Sequence, residues 1–111
     1  MAMKTGLTKL LDVEHPIVLA AMDIVANAKL TLAVSDAGGF GILGAGYGDA
    51  DWLSHELPPL AEAKRRRGLR FGAGFITWSL AKKPELLDQV LAAEPDAVWL
   101  SFGDPAPLLR K

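Results

Sequence analysis

The sequence predicts an α/β fold built from parallel βα units, and three observations support that prediction. Four short apolar runs occur along the chain, at 17–21, 40–44, 71–76 and 97–101. None alternates polar with apolar residues, which is typical of strands buried on both faces. Helical segments separate the runs, whose starts lie 23, 31 and 26 residues apart, the size of a βα unit. This alternation predicts a parallel sheet with right-handed crossovers.

The first helix is predicted to follow Asn27, because asparagine is a favourable N-cap residue. Gly38 and Gly39 end it, since glycine adopts the left-handed conformation after a helix without steric cost. The apolar residues at helical spacing, which share one face, are Leu30, Ala33, Val34 and Ala37.

The second helical segment is predicted in two parts. A short turn of helix begins at Asp49 or Asp51. The pair Pro58-Pro59 then interrupts it, because a residue that precedes proline is disfavoured in helical conformation. A helix from about Pro59 to Arg67 follows, with Gly68 as its cap.

The third helix opens at Pro84-Glu85, with proline at the first position and an acidic residue in the first turn, and Pro95 stops it. Residues 104–109 resemble a loop that enters a fourth helix. The buried stripe of the third helix is predicted to consist of Leu87, Val90 and Leu91.

Composition excludes several classes of protein. The 111 residues suit a single domain, and 12 basic against 13 acidic residues give a net charge of -1, which does not support nucleic-acid binding. The absence of cysteine excludes disulfides, thiolate zinc sites and cysteine nucleophiles. No metal site or catalytic set can be assembled from the two histidines and the carboxylates. We also see no membrane-spanning stretch or signal-peptide core, so we expect a cytoplasmic protein.

Several glycine motifs permit two interpretations. The GxGxxG pattern at 39–44 follows a helix and enters a strand, so a helix cap with tight packing is favoured over dinucleotide binding. The glycines at 44–48 form either a ligand loop or a flexible one. Gly72 and Gly74 lie inside a strand, where either a bulge or a flat ligand would explain them.

Asp23 follows the first apolar run, at the sheet edge where α/β folds bind ligands. It either orients a polar ligand or, as is more common, hydrogen-bonds backbone within its loop. His15 and His55 are interpreted as structural or solvated.

A long block of the sequence resembles a known family. The residues that carry the resemblance are Glu14–Ile17, Ala21-Met22, the block AVSDAGGFGILG at 33–44, Phe71–Trp78 and Ser101–Pro105. They are similar to the N-terminal part of the nitronate monooxygenases, formerly grouped as 2-nitropropane dioxygenases. The resemblance implies a TIM barrel that binds FMN and oxidises alkyl nitronates with molecular oxygen.

The resemblance also implies a flavin site. Ala21, Met22 and Asp23 would line the flavin ring through backbone atoms, and Gly74 would meet the flavin at the end of the third predicted strand. Many family members carry asparagine where this chain has Gly74. Residues 101–104 would lie near the substrate, and no residue of this chain is assigned a catalytic role.

Four βα units are half of an eight-fold barrel, which typically needs about 250 residues. We therefore expect residues 1–111 to form a single incomplete domain, since the family's phosphate loops and catalytic histidine lie in the second half. Alternatives are a related flavin barrel, such as an enoyl reductase, or a non-catalytic half-barrel module. The predicted edge strands 17–21 and 97–100 carry no charged residue that would oppose pairing with another chain, so we expect self-association.

Overall fold

The computed structural model describes residues 3–109, and three parallel strands form its centre. They are β1 (Gly41–Gly46), β2 (Phe71–Ile76) and β3 (Ala97–Ser101), hydrogen-bonded in the order β1-β2-β3. The predicted α/β class and the parallel sheet are confirmed. The bounds of β2 and β3 agree with the predicted runs.

The predicted first strand is much shorter than expected. Within 17–21, the only bridge to the sheet joins Val18 to Phe40 in parallel. Beyond that bridge the chain turns across the end of β1, where the Gly44 N–H donates to the Ala26 carbonyl at 2.8 Å. The prediction of a full strand over 17–21 was therefore wrong. The Gly44 N–H at the edge of β1 is bonded to the turn that follows and not to a neighbouring strand.

Helices flank the strands. The Asn27 side chain caps α2 (Ala28–Asp36) by accepting a hydrogen bond from the Leu30 N–H at 2.9 Å, as predicted. In α5 (Glu85–Leu91) the predicted stripe was wrong at one residue, because Leu91 is 40% exposed and Leu86 is buried in its place. The elements are α1 (Gly6–Leu11), α2 (Ala28–Asp36), α3 (Ala50–Arg67), α4 (Thr77–Leu80), α5 (Glu85–Leu91) and a 3₁₀ turn (Ala106–Leu108).

The predicted break in the second helical segment does not occur, because α3 continues through Pro58 and Pro59. Both prolines are exposed, as are Ser54 and His55, whose carbonyls lose their helical N–H partners. Water can solvate those carbonyls. The buried residues on either side of the prolines form one continuous face, which favours a single helix: Leu53, Leu57, Leu60 and Ala63.

The helix α1 was not predicted, although its N-cap had a sequence signal. Thr5 accepts from the Thr8 N–H at 3.2 Å, and the Thr8 hydroxyl accepts from the Thr5 N–H at 2.8 Å. This reciprocal pair is a capping box with threonine in place of the usual Glu or Gln. Leu11 of α1 packs with Phe40 and Ile42 in a small cluster.

The two faces of the sheet are covered unequally. One face packs against α3 and α5 in the main core, which includes Leu43, Phe71 and Phe75. The other face carries the small cluster under α1, and Trp99 on β3 remains 37% exposed. This second face is therefore the more open one.

Ion pairs join the segments at the amino edge of the sheet. The Asp96 carboxylate accepts from Lys64 at 2.7 Å, from Arg70 at 3.2 Å and from the Phe71 N–H at 3.0 Å. Partial burial raises the pKa of Asp96, but Lys64, the Phe71 N–H and Arg70 together lower that pKa below its ordinary value. No helix among residues 3–109 is long and apolar enough to cross a membrane.

Candidate functional site

The segment 20–26 lies across the carboxyl ends of β1 and β2. A Cβ atom on Gly44 would come within less than 3.0 Å of the Met22 carbonyl, and one on Gly74 would meet the Ala21 side chain. A Cβ atom on Gly46 would strike the Asp23 carboxylate. These glycines are needed because the chain itself passes this close to the strand ends.

The bulge explanation for Gly72 and Gly74 is wrong, and packing within the chain gives each glycine a further reason. The irregularity in the ladder lies in β1, between Gly44 and Gly46, and not in β2. Gly72 instead makes room for the Phe40 ring, which a Cβ atom would meet at 2.8 Å. The chain's own Ala21 occupies the corresponding space at Gly74.

Two clefts open at this carboxyl edge, and Asp23 lines both. One is a shallow cleft of about 120 Å³ between the segment 21–23 and the ends of β2 and β3. Its lining includes Ala21, Asp23, Gly74, Trp99, Ser101 and Phe102. The other, of about 400 Å³, lies between the following turn and the start of α3.

The structure brings three of the four predicted flavin residues together. Ala21, Asp23 and Gly74 line the 120 Å³ cleft, while Met22 does not. The Met22 carbonyl packs on Gly44 and accepts a hydrogen bond from the Ala26 N–H at 2.8 Å. Met22 therefore shapes the turn that positions its neighbours, and a flavin contact at all four residues stays a prediction.

Backbone donors are available at this edge. Within residues 3–109, the N–H groups of Ala21 and Asp23 have no hydrogen-bond partner, and both residues are exposed. A flat heteroaromatic ligand with acceptor atoms along its edge can accept from such N–H groups. The local geometry is therefore suited to ligand binding through backbone atoms.

Asp23 does not make the loop hydrogen bond that its position suggested. Within the described part of the chain its carboxylate has no hydrogen-bond or ion-pair partner, so the loop interpretation was wrong. The Asp23 carbonyl accepts from the Val25 N–H at 2.7 Å across Ile24, whose φ is +66°. This is the hydrogen bond of a γ-turn in its rare, strained form. A β-branched residue at such φ is unusual, and strain of this kind clusters at functional sites.

Exposed aromatic residues after the strands were not predicted. Tyr47, Trp78 and Phe102 follow β1, β2 and β3, and each is more than half exposed. The Tyr47 and Trp78 rings meet edge to face at 5.7 Å, and the Trp78 N–H donates to the Phe102 carbonyl at 3.3 Å. The signal was visible in the sequence, because an aromatic residue follows shortly after each of the last three apolar runs.

The remaining candidates are structural in this geometry. The GxGxxG pattern leads from the end of α2 into β1, as interpreted from the sequence. Neither His15 nor His55 lines the two clefts. No group of three or more His, Asp or Glu within 3–109 could hold a metal ion.

A cavity of about 240 Å³ at the amino edge contains side chains that are already paired. Arg67 bonds Asp36 at 2.9 Å, and Arg70 bonds Asp12 at 2.5 Å. These contacts link α2, α3 and the segment after α1. We therefore interpret these ion pairs as contacts that stabilise the fold.

A parallel sheet with covering helices and clefts at its carboxyl edge is the arrangement of the βα units of a TIM barrel. The sequence profile of nitronate monooxygenase matches residues 4–67, and the chain belongs to this family.

Two relatives carry the same family description, and a solved structure shares the fold. The chain is 42% identical over 62 residues to a probable nitronate monooxygenase of Staphylococcus saprophyticus, covering 56% of this chain and 18% of that protein. A Staphylococcus aureus (strain Newman) relative of the same description is 41% identical over 54 residues, covering 49% of this chain and 15% of the relative. FabK from Thermotoga maritima superposes with a TM-score of 0.77 at 29% identity, covering 97% of this chain and 33% of FabK. The chain thus spans only part of each.

Proposed function

We propose that the chain supplies the first βα units of an FMN-dependent nitronate monooxygenase-like oxidoreductase. Its substrates would be a small alkyl nitronate and molecular oxygen. The observation that carries the proposal is the cleft at the carboxyl edge, which Gly74 lines together with Ala21 and Asp23, two residues whose N–H groups have no partner within 3–109. This arrangement occurs in a chain of the nitronate monooxygenase family. A cytoplasmic location is part of the same proposal.

The cleft residues fit part of an FMN molecule. Bound FMN would supply the electron transfer between nitronate and oxygen. The N–H groups of Ala21 and Asp23 would orient the ring, and Gly74 would leave room for the Ala21 side chain beside it. Small-molecule sites usually enclose about 300–1,000 Å³, whereas this cleft encloses about 120 Å³. These residues therefore contact the flavin without enclosing it.

FMN is expected to bind the 111-residue chain weakly and to be lost on desalting, because the cleft covers so little of it. Quenching of flavin fluorescence during titration with protein measures that affinity. Gly74→Ala should weaken binding at least about tenfold, since its Cβ atom would displace Ala21.

Gly6→Ala is the matched control, because no atom lies within 4 Å of the added Cβ and its affinity should equal that of the unmodified chain. No quenching at any protein concentration, or equal affinities for the two variants, would contradict the flavin site. A chain that stays yellow with stoichiometric FMN after desalting would contradict the expected weakness.

A related flavin-dependent TIM-barrel reductase is the second candidate function. The likeness to FabK over 97% of the chain favours it, because that likeness extends past the residues that the family profile matches. Oxygen uptake on addition of an alkyl nitronate to the protein in excess FMN would separate the two activities. Uptake would support the monooxygenase.

The third candidate is a half-barrel module without catalysis that acts through self-association. The strand β3 pairs with β2 on one side only within residues 3–109, and Trp99 lies on the more open face. Ile17, beside the Val18 bridge, is 62% exposed. Apolar edges of this kind favour pairing with another chain.

Light scattering after size exclusion is therefore expected to show dimers or larger species at micromolar concentration. Trp99→Lys should shift the population to monomer, because a charge on the open face opposes its burial. Trp78→Lys, at an exposed site in α4 and not on a strand, should not. A sharp monomer peak for the unmodified chain would rule out this proposal.

A further inference from the structure

The cleft of about 400 Å³ beside Asp23 is not used by the proposed flavin contacts. It lies within the range of small-molecule sites and is lined by Asp23, Ile24, Tyr47, Gly48, Asp49 and Trp52. We propose that this cleft binds an ammonium group carried on an aromatic or apolar body. The proposal goes beyond the proposed function, because such a ligand needs no flavin.

The Asp23 carboxylate is held at the mouth of the cleft by its backbone. It packs over Gly46, whose φ of +52° and missing Cβ atom leave it room. The residue that follows Asp23 is Ile24, which lies at the centre of the strained turn. Strained backbone persists only where the surrounding structure determines it, so we expect the backbone beside Asp23 to keep this turn. Its carboxylate has no partner among residues 3–109.

The charge in the cleft favours a cation. Asp49 is the second lining carboxylate, and it already accepts two N–H groups in the first turn of α3. Within residues 3–109 no Lys or Arg lines the cleft, although the Lys83 ammonium donates to the carbonyl of the lining residue Gly48 at 3.4 Å. Asp23 is therefore the carboxylate left for a ligand, and a cation is the charge that it attracts.

The other walls fit the rest of such a ligand. Tyr47 is 54% exposed and Ile24 is 69% exposed, so both have apolar surface to bury. The Trp52 indole N–H donates to the Gly44 carbonyl at 3.0 Å, which fixes the orientation of its ring. Aromatic faces attract cations, and apolar area adds affinity without regard to direction.

Three probes of similar shape test the charge preference on the full 111-residue chain: 2-phenylethylammonium, 2-phenylethanol and 3-phenylpropionate. In ¹⁵N-labelled protein without flavin, the ammonium probe should shift amide signals at 23–25 and 47–49. It should bind about fivefold more tightly than the alcohol, and the carboxylate most weakly. The preference should shrink at high salt, as expected for charges near solvent.

Asp23→Asn should lower the affinity for the ammonium probe about fivefold and leave the alcohol unchanged. Glu85→Gln, which replaces an exposed carboxylate at the start of α5 that does not line the cleft, should change neither. Equal affinities for all three probes, no binding, or shifts away from the cleft would overturn the proposal. The comparison of the three probes uses the unmodified chain, so it remains valid even if a variant fails to fold. Because the samples contain no flavin, a failure of the proposed FMN site would leave these results unaffected.

Discussion

Replacing Gly44 by alanine is expected to destabilise the chain by about 3 kcal/mol, as severe overpacking does. The new Cβ atom would lie within less than 3.0 Å of the Met22 carbonyl, and a backbone atom cannot rotate away as a side chain can. Either β1 or the segment 21–23 must move. Urea unfolding followed by far-UV circular dichroism measures the loss.

The same substitution should also remove flavin binding, because Ala21 and Asp23 belong to the segment that moves. Gly6→Ala provides the control, with stability unchanged or raised by up to about 1 kcal/mol. A Gly44→Ala protein with the stability and FMN affinity of the unmodified chain would show that the close approach at Met22 is not a constraint. Changes in amide chemical shift confined to residues near 22 and 44 would support the constraint at this contact.

The parts of the fold that the sequence predicted well are those with strong local signals. Asn27 identified the start of α2, and continuous apolar runs identified β2 and β3 to the residue. Local rules failed where packing overrode them. The prolines in α3 are tolerated because their lost hydrogen bonds face solvent while the leucines on the other side stay buried.

The candidate site was only partly predictable. Asp23 and Gly74 could be placed at one edge, because the carboxyl ends of parallel strands meet there. The sequence could not show that Ala21 packs directly against Gly74, since that contact joins residues far apart in the chain. The strained turn at Ile24 was equally hidden, because isoleucine seldom adopts positive φ.

Asp96→Asn is expected to cost about 2 kcal/mol at pH 7, the scale of hydrogen bonds to a charged group. The Asp96 side chain is only 16% exposed, and it joins the end of α3 to the starts of β2 and β3. Asparagine keeps the size but loses the charge that Lys64 and Arg70 face. Asp36→Asn is the matched control: it breaks an exposed pair with Arg67, so it should cost at most about 0.5 kcal/mol.

The pH dependence identifies the charge as the cause. Because the pKa of Asp96 is lowered in the fold, the unfolded chain binds the proton at a higher pH than the folded chain. The stabilisation is therefore complete above the unfolded pKa of about 3.9 and is lost as the pH falls through the lower folded pKa. Urea unfolding at pH 7, 4 and 3 should show the difference between the unmodified and Asp96→Asn proteins shrinking toward the lowest pH. If the difference in free energy of unfolding stays constant with pH, the loss of charge is not its cause. The effect would then be assigned to poorer geometry of the hydrogen bond from the Phe71 N–H to the asparagine oxygen.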